Sequence, residues 1–328
     1  MWWMWGLGCA PPPVAMEGAD ACGDAGARWG ERPVLPKDTA LDWGDAQAKG
    51  THNSYHQAPD APLDPSWAYS QPPLAVQLAD LGVRQLELDL HLRDGVYEVF
   101  HVAGVDGGTS CPTLTDCLQE ICRFSAATPG HVPLTVWIEL KDDVDLDPSY
   151  VSMLGTYAAI EDEIRALFPA DRLVVPDDWR RGAADLATAT ATWGPPSLAD
   201  VRGRTAFALL ESSEHRDAYL AESPTLADRV LFPDSDGSQP YAALVKDADN
   251  AVIPDLIAAG LLVTVNADGA GDDPATRADT RTAALAAGAH HAASDFPAEW
   301  SIPGGAPVAC NPVRAPADCA PADLERAP

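Results

Sequence analysis

Three short stretches concentrate the residue types that hold cations and move protons. Residues 50–56, GTHNSYH, set an imidazole and an amide side by side at His52 and Asn53. Residues 83–101, VRQLELDLHLRDGVYEVFH, set Glu87 and Asp89 two positions apart, with His101 closing the same run. Residues 132–141, VPLTVWIELK, add Glu139 and Lys141. An amide carbonyl and three carboxylates are hard oxygen donors, a set suited to calcium or magnesium rather than zinc. Two histidines flanking such a site suit proton transfer at both ends of a phosphodiester, because imidazole changes charge near neutral pH.

Those groups act together only if the elements carrying them converge. Leu86, Leu88, Leu90 and Leu92 alternate with Glu87, Asp89, His91 and Arg93, the period of a strand with one apolar face. In an open antiparallel sheet the polar face would lie in water; in a closed parallel barrel it points into the mouth. Leu134, Val136, Ile138 and Leu140 alternate in the same way with Thr135, Trp137, Glu139 and Lys141. A turn at Asp94 and Gly95 sends a second strand back over 96–101, so His101 is expected beside Glu87 and Asp89. A strand at 48–51 ends at His52, and His56 and His91 read as rim or structural residues. Further strands are expected at 172–175, 204–210, 229–232, 242–245, 260–265 and 290–294. Helices are expected at 74–81, 113–127, 150–168, 214–221, 253–259 and 276–287. This alternation predicts an α/β fold, a (β/α) TIM-type barrel. A doubly wound open sheet is the alternative, against which the absence of a GxGxxG or Walker pattern counts. Asp295 ends the last strand, where it could orient a histidine, bind substrate hydroxyls or cap a helix.

The 328 residues carry 49 acids against 21 bases, a formal charge of -28 that excludes a basic nucleic-acid footprint and disfavours docking on anionic lipid. At 46% hydrophobic, the chain can bury a large core. The acidic run at 142–147 lacks the Gly and distal Glu of an EF-hand loop and reads as solvated. Residues 1–40 are read as a truncated signal or lipoprotein-like leader and linker, with Cys9 after Gly8 as a lipid attachment point, and 41–328 as the catalytic domain. Seven cysteines form no CxxC pair, which argues against zinc and for an oxidising compartment. Cys111 with Cys117 and Cys310 with Cys319 are the expected short loops, the second holding the C-terminal tail.

GTHNSYH, ELDLHLRDG with VFH, and WIELK together resemble the X-type catalytic barrel of phosphoinositide-specific phospholipase C, most closely its calcium-dependent bacterial and fungal branch. TRADTRTAALAAGAHHAASDFP and the closing CNPV with Cys319 resemble it too, so the likeness runs from about Leu41 to Cys319. It implies that Asn53, Glu87, Asp89 and Glu139 bind calcium and that His52 and His101 are the catalytic pair. Lys141 is read besides as a phosphate contact, with an ordinary strand-end ion pair to Glu139 as the alternative, and Asp295 as a candidate for binding the substrate. Metal-independent relatives place an arginine where the cation sits; Asp89 here implies metal dependence. The family reaction has the inositol 2-hydroxyl attack its own phosphate, releasing diacylglycerol and inositol 1,2-cyclic phosphate, which water then opens in some members. His52 would serve the attacking side and His101 the departing oxygen. The implied partner is phosphatidylinositol or a related inositol phosphodiester at a membrane surface; the cysteines and leader point to a secreted, periplasmic or cell-surface protein, and with no heptad run or interface stripe a monomer is the default expectation. A glycerophosphodiester phosphodiesterase, whose barrel also pairs histidines with an E-x-D strand, is the second reading, although HRG usually stands where His52, Asn53 and Ser54 stand here. A module that binds phosphorylated head groups without turnover is the third.

Overall fold

The computed structural model describes residues 21–23, 28–142, 146–211, 214–304 and 307–325. Its strands, in chain order, are β1 (Ala46–Gly50), β2 (Val83–Arg93), β3 (Val96–Val99), β4 (Leu134–Leu140), β5 (Leu173–Val174), β6 (Thr205–Leu209), β7 (Leu231–Pro233), β8 (Leu244–Lys246), β9 (Leu262–Asn266), β10 (His291–Ala293) and β11 (Val308–Cys310). Parallel pairing runs from β8 through β9, β10, β1, β2, β4 and β6 to β7. A single parallel bridge between Asp234 and Leu244 joins β7 back to β8. Lys246 N donates to Asp234 Oδ1 at 2.9 Å and Ser235 Oγ to the Leu244 carbonyl at 2.8 Å, so side chains complete what the backbone ladder leaves open. The result is the expected TIM-type barrel, irregular at this seam. A further irregularity lies beside β6, where one edge is shared: Leu173 of β5 pairs with Thr205, and Leu231 of β7 takes over at Phe207.

The barrel is filled by polar and aromatic groups, while its oil lies outside. Leu86, Leu88 and Leu90 of β2 are fully buried in one cluster with Leu114, Leu118 and Ile121 of the helix Leu114–Ala127. On the opposite face, Trp137 of β4 donates across the interior to Thr264 of β9 at 3.4 Å, and Thr264 pairs with His291 of β10 at 3.1 Å. Period-two alternation thus sorts β2 and β4 between a helix-packed face and a chemical one. Thr113 starts the covering helix by accepting from Asp116 N at 3.2 Å. The helix Pro274–Ala287 is capped by Asp273 and ends on Gly288 at φ 101°, a left-handed turn natural for glycine.

Three expectations change. The helix placed at 150–168 begins only at Tyr157, because Val151 pairs with Leu92 and Met153 N donates to Asp142 Oδ1, which hold the preceding segment extended. The helix Leu186–Trp193 and the strand β11 were not anticipated; both are short, and β11 pairs antiparallel with β1 where β2 has yet to begin. The linker reading of 1–40 does not extend to its described part. Trp29 lies 5.9 Å from the Phe168 ring, Gly30 N donates to the Ala126 carbonyl, and buried Asp38 pairs with buried Arg202. Isolated apolar residues in a Pro- and Gly-rich stretch carry no period, so this packing left no pattern to read.

Both short disulfides, Cys111–Cys117 and Cys310–Cys319, are formed, and Cys22–Cys122 closes a third across 100 residues. Three disulfides place the fold in an oxidising environment. Cys9 and its lipid-attachment reading lie outside the described residues. No helix among the described residues is long and apolar enough to cross a membrane.

Candidate active site

Register brings the acids together. β2 and β4 run parallel with Asp89 directly opposite Glu139 and Glu87 opposite Trp137, so oxygens of Glu87, Asp89 and Glu139 all fall within 4.8 Å of one another. Asn53 is pinned alongside: Ser54 N donates to the Glu87 carbonyl at 3.0 Å, and Glu87 N donates to Ser54 Oγ at 2.8 Å. Asn53 itself is buried at φ 40°, a left-handed conformation that asparagine tolerates better than most residues.

The trio is short of positive charge. Glu87 Oε2 and both Asp89 carboxylate oxygens are buried with no well-aligned hydrogen bond, though Lys246 and Lys141 meet Glu87 Oε2 and Asp89 Oδ2 as ion pairs. Burial pushes the Asp89 carboxyl up to about 7; the Lys141 ammonium opposes this, and Glu139 and Glu87 reinforce it. Lys141 Nζ lies 2.5 Å from Glu139 and 3.3 Å from Asp89, and Lys246 Nζ lies 3.0 Å from Glu87. Two lysines facing three carboxylates, Glu87 and Asp89 buried and Glu139 part-exposed, leave oxygens short of well-aligned donors, and those oxygens are hard donors. The residues present therefore fit calcium. Glu211, whose Oε1 accepts from Leu140 N at 2.7 Å, lines a cavity of about 330 Å3 together with Glu87 and Glu139, and burial raises it to about 7.

Each histidine is held by its own aspartate. His52 Nδ1 lies 3.0 Å from Asp295 Oδ1, and Asp295 Oδ2 accepts from Ala270 N at 2.9 Å. Burial alone would depress His52, but Glu87 and the Asp295 hydrogen bond outweigh it and bring the ring up to about 9. His101 Nδ1 lies 2.7 Å from Asp106 Oδ2. The β2–β3 ladder ends where Leu90 faces Val99, and His101 follows two residues beyond it. His52, Asn53, His101 and Asp295 line one cavity of about 430 Å3, and His52 also lines the cavity that holds Glu87 and Glu139.

The eight residues singled out in the sequence thus gather at the C-terminal ends of the strands, with two refinements. Lys141 is paired with the carboxylates, and Asp295 is bonded to His52. Asp106, Lys246 and Glu211 were missed. Asp106 sits in a Gly-rich turn with no periodicity. Lys246 ends a strand that the sequence placed at 242–245, one residue short of it. His56 and His91 stand outside the set of eight: His56 is bonded to Asp106 and to the Tyr69 carbonyl, and His91 Nε2 meets the Phe100 carbonyl at 2.8 Å while its ring stacks on Phe100.

A parallel barrel whose mouth joins a hard-donor carboxylate site to two aspartate-held histidines is an arrangement capable of cation-assisted hydrolysis. Residues 91–312 match the family described as phosphoinositide phospholipase C, Ca2+-dependent, and the chain belongs to that family. The matched span contains His101, Glu139, Lys141 and Asp295; His52, Asn53, Glu87 and Asp89 precede it. Among solved structures, a calcium-dependent phosphoinositol-specific phospholipase C from Pseudomonas sp. superposes with TM-score 0.61 at 18% identity, over 86% of this chain and 100% of that one. The calcium-dependent phosphatidylinositol-specific enzyme of Streptomyces antibioticus superposes with TM-score 0.58 at 20% identity, over 78% of this chain and 96% of that one. At these identities the likeness establishes the fold. No curated protein matches the sequence.

Proposed function

We propose that this calcium-dependent phosphoinositide phospholipase C works with His52 and His101 as its catalytic pair and with Asn53, Glu87, Asp89 and Glu139 as its calcium ligands. The observation that carries the reading is the juxtaposition of a carboxylate trio, two of its members buried and undersatisfied, with two histidines each tied at Nδ1 to an aspartate. Calcium bound there supplies positive charge that lowers the pKa of a substrate hydroxyl and offsets charge on the phosphate. His52 serves the attacking side: with Nδ1 on Asp295, and with a cation offsetting the Glu87 charge that raises the ring, its other nitrogen would be free to take the hydroxyl's proton. Asp295 acts through His52 rather than on the substrate. His101, with Nδ1 on Asp106, has Nε2 left to protonate the departing diacylglycerol oxygen. Lys141, already among the carboxylates, supplies a cation at the edge of the phosphate position. The substrate is drawn from a membrane surface that the protein meets peripherally as a monomer, and the product is inositol 1,2-cyclic phosphate.

Phosphorus NMR with phosphatidylinositol in mixed micelles tests this, in calcium and in chelator, for the parent and for His101→Ala. The expected result is a cyclic phosphate signal only with calcium and only in the parent. Equal turnover by His101→Ala would remove it from the pair. Release of glycerol phosphate from glycerophosphodiesters, with phosphatidylinositol untouched, would replace the substrate.

A further inference from the structure

The fully buried Asp106 carboxylate meets two histidine rings, and the donors and acceptors around it restrict where the protons lie. His56 Nδ1 is 3.0 Å from the Tyr69 carbonyl oxygen, which can only accept, so Nδ1 carries a hydrogen. The other nitrogen of that ring, Nε2, stands 3.0 and 2.9 Å from the two Asp106 oxygens. A neutral ring would turn a lone pair onto a carboxylate, so one more proton must lie between them. A carboxyl O–H leaves from one oxygen and points one way. A ring N–H placed almost evenly between two oxygens is accepted by both. His101 Nδ1, at 2.7 Å from Oδ2, also needs an acceptor there. All three contacts are satisfied at once by an ionised Asp106 and a doubly protonated His56.

We propose that His56 is a positioning residue for His101: a buried imidazolium, fixed between the Tyr69 carbonyl and Asp106, that offsets the Asp106 charge. Asp106 then holds the orientation and tautomer of His101 without locking a second proton onto it. The proposal rests on the reading of His101 as the acid and says what tunes it. A lone buried carboxylate at this distance would stabilise charged His101 strongly and make it reluctant to release its proton. The His56 ring, 5.9 Å from the His101 ring and edge-on to it, opposes that pull. His101 in fact lies below the usual histidine range: burial depresses it, Asp106 raises it, and Lys141 and His56 depress it further. The remaining ring neighbours are uncharged, Trp67 at 5.5 Å from His101 and Tyr69 at 4.4 Å from His56. Nitrogen and oxygen atoms of His56, His101 and Asp106 also fall within 4.8 Å of one another, so a transition metal is the competing occupant.

The test is ring-15N NMR of the histidine-labelled, calcium-loaded full chain through a pH titration, for the parent, His56→Gln and Asp106→Asn. In the parent, His56 should show two protonated ring nitrogens across the titration, while His101 should pass from two protonated nitrogens, the form that acts as acid, to a protonated Nδ1 beside a lone-pair Nε2 above its midpoint. The His101 midpoint should rise by about one pH unit in His56→Gln and fall by about as much in Asp106→Asn. In both variants kcat should fall with KM little changed, and the basic limb of the kcat profile should follow the NMR midpoint. A lone-pair nitrogen in parent His56, shifts of the same sign in both variants, or one equivalent of zinc bound through these three side chains would each overturn the proposal. The parent spectrum decides the proton arrangement even if a variant fails to fold. Full turnover by His101→Ala would instead remove the acid role, a separate result from the NMR one.

Discussion

At the scale of single residues, the site is a problem of charge left over. Glu87 is buried with Lys246 3.0 Å away, and charges taken out of water are tolerated only when paired. Replacing Lys246 by Met leaves that carboxylate alone, and losing one partner of a buried pair costs about 3–5 kcal/mol. In chelator, Lys246→Met should therefore melt well below the parent. Calcium should recover much of the loss, because the cation supplies the charge the lysine had supplied. Equal destabilisation with and without calcium, read by thermal melting, would show that Lys246 does not neighbour the cation site. Asp89→Asn removes a donor, and the calcium concentration for half-maximal stabilisation should rise at least about tenfold, which calorimetric titration would read directly.

At the scale of elements, the hairpin and the loop beyond it deliver His101 and Asp106 to the chain that carries His56. That approach is close. A Cβ on Gly108 would come within 2.0 Å of the Gln57 carbonyl oxygen, in a pairing where Gln57 N donates to the Gly108 carbonyl at 3.0 Å. Gly108→Ala must push the Asp106 loop away from His56 and His101. Misplacing a supporting group by about 1 Å costs up to about a hundredfold in rate, so kcat should fall by one to two orders of magnitude. The melting temperature should change much less, since this loop lies outside the barrel ladder. A variant that loses stability and activity together would show that the loop is a structural strut.

At the scale of the whole molecule, two devices hold the barrel. Cys22–Cys122 closes a loop of 100 residues and Cys310–Cys319 one of 9. Loop-closure entropy assigns about 4–5 kcal/mol to the first and about 2–3 kcal/mol to the second. Denaturant unfolding of Cys22→Ser/Cys122→Ser should show the larger loss; the reverse order would mean that the residues near Cys22 contribute little to stability. The second device is a set of buried neutral imidazoles. Burial brings His131 down to about 4 and His290 and His291 down to about 3. Between those values and the unfolded value near pH 6.5, the unfolded chain binds more protons than the fold does. Their contribution is complete above about pH 6.5 and is lost as the pH falls toward 4. Asp42 and Asp234, raised to about 6 mainly by burial, favour the fold as they protonate and work the other way. The histidine share is isolated by comparison with His131→Asn, whose stability should decline less steeply than the parent's from pH 6.5 to 4. Parallel slopes would mean that His131 is as readily protonated in the fold as out of it.

What the sequence determined by itself is whatever is written in local period and residue type. Alternation in 83–93 and 134–141 carried the strands, the face that bears chemistry and the barrel class. The identity of Glu87, Asp89 and Glu139 as hard donors carried the metal class. Paired half-cysteines at short spacing carried two disulfides. What only the tertiary structure decided depends on contacts between segments with no shared period. Asp106 reaches His56 across 50 residues and Asp295 reaches His52 across 243. Lys246 reaches Glu87 only because β8 runs one residue past its apolar run and the barrel closes around both. Trp29 and Asp38 join the fold by packing against distant groups, and such contacts are set by chain closure, which leaves no repeat in the residues that make them.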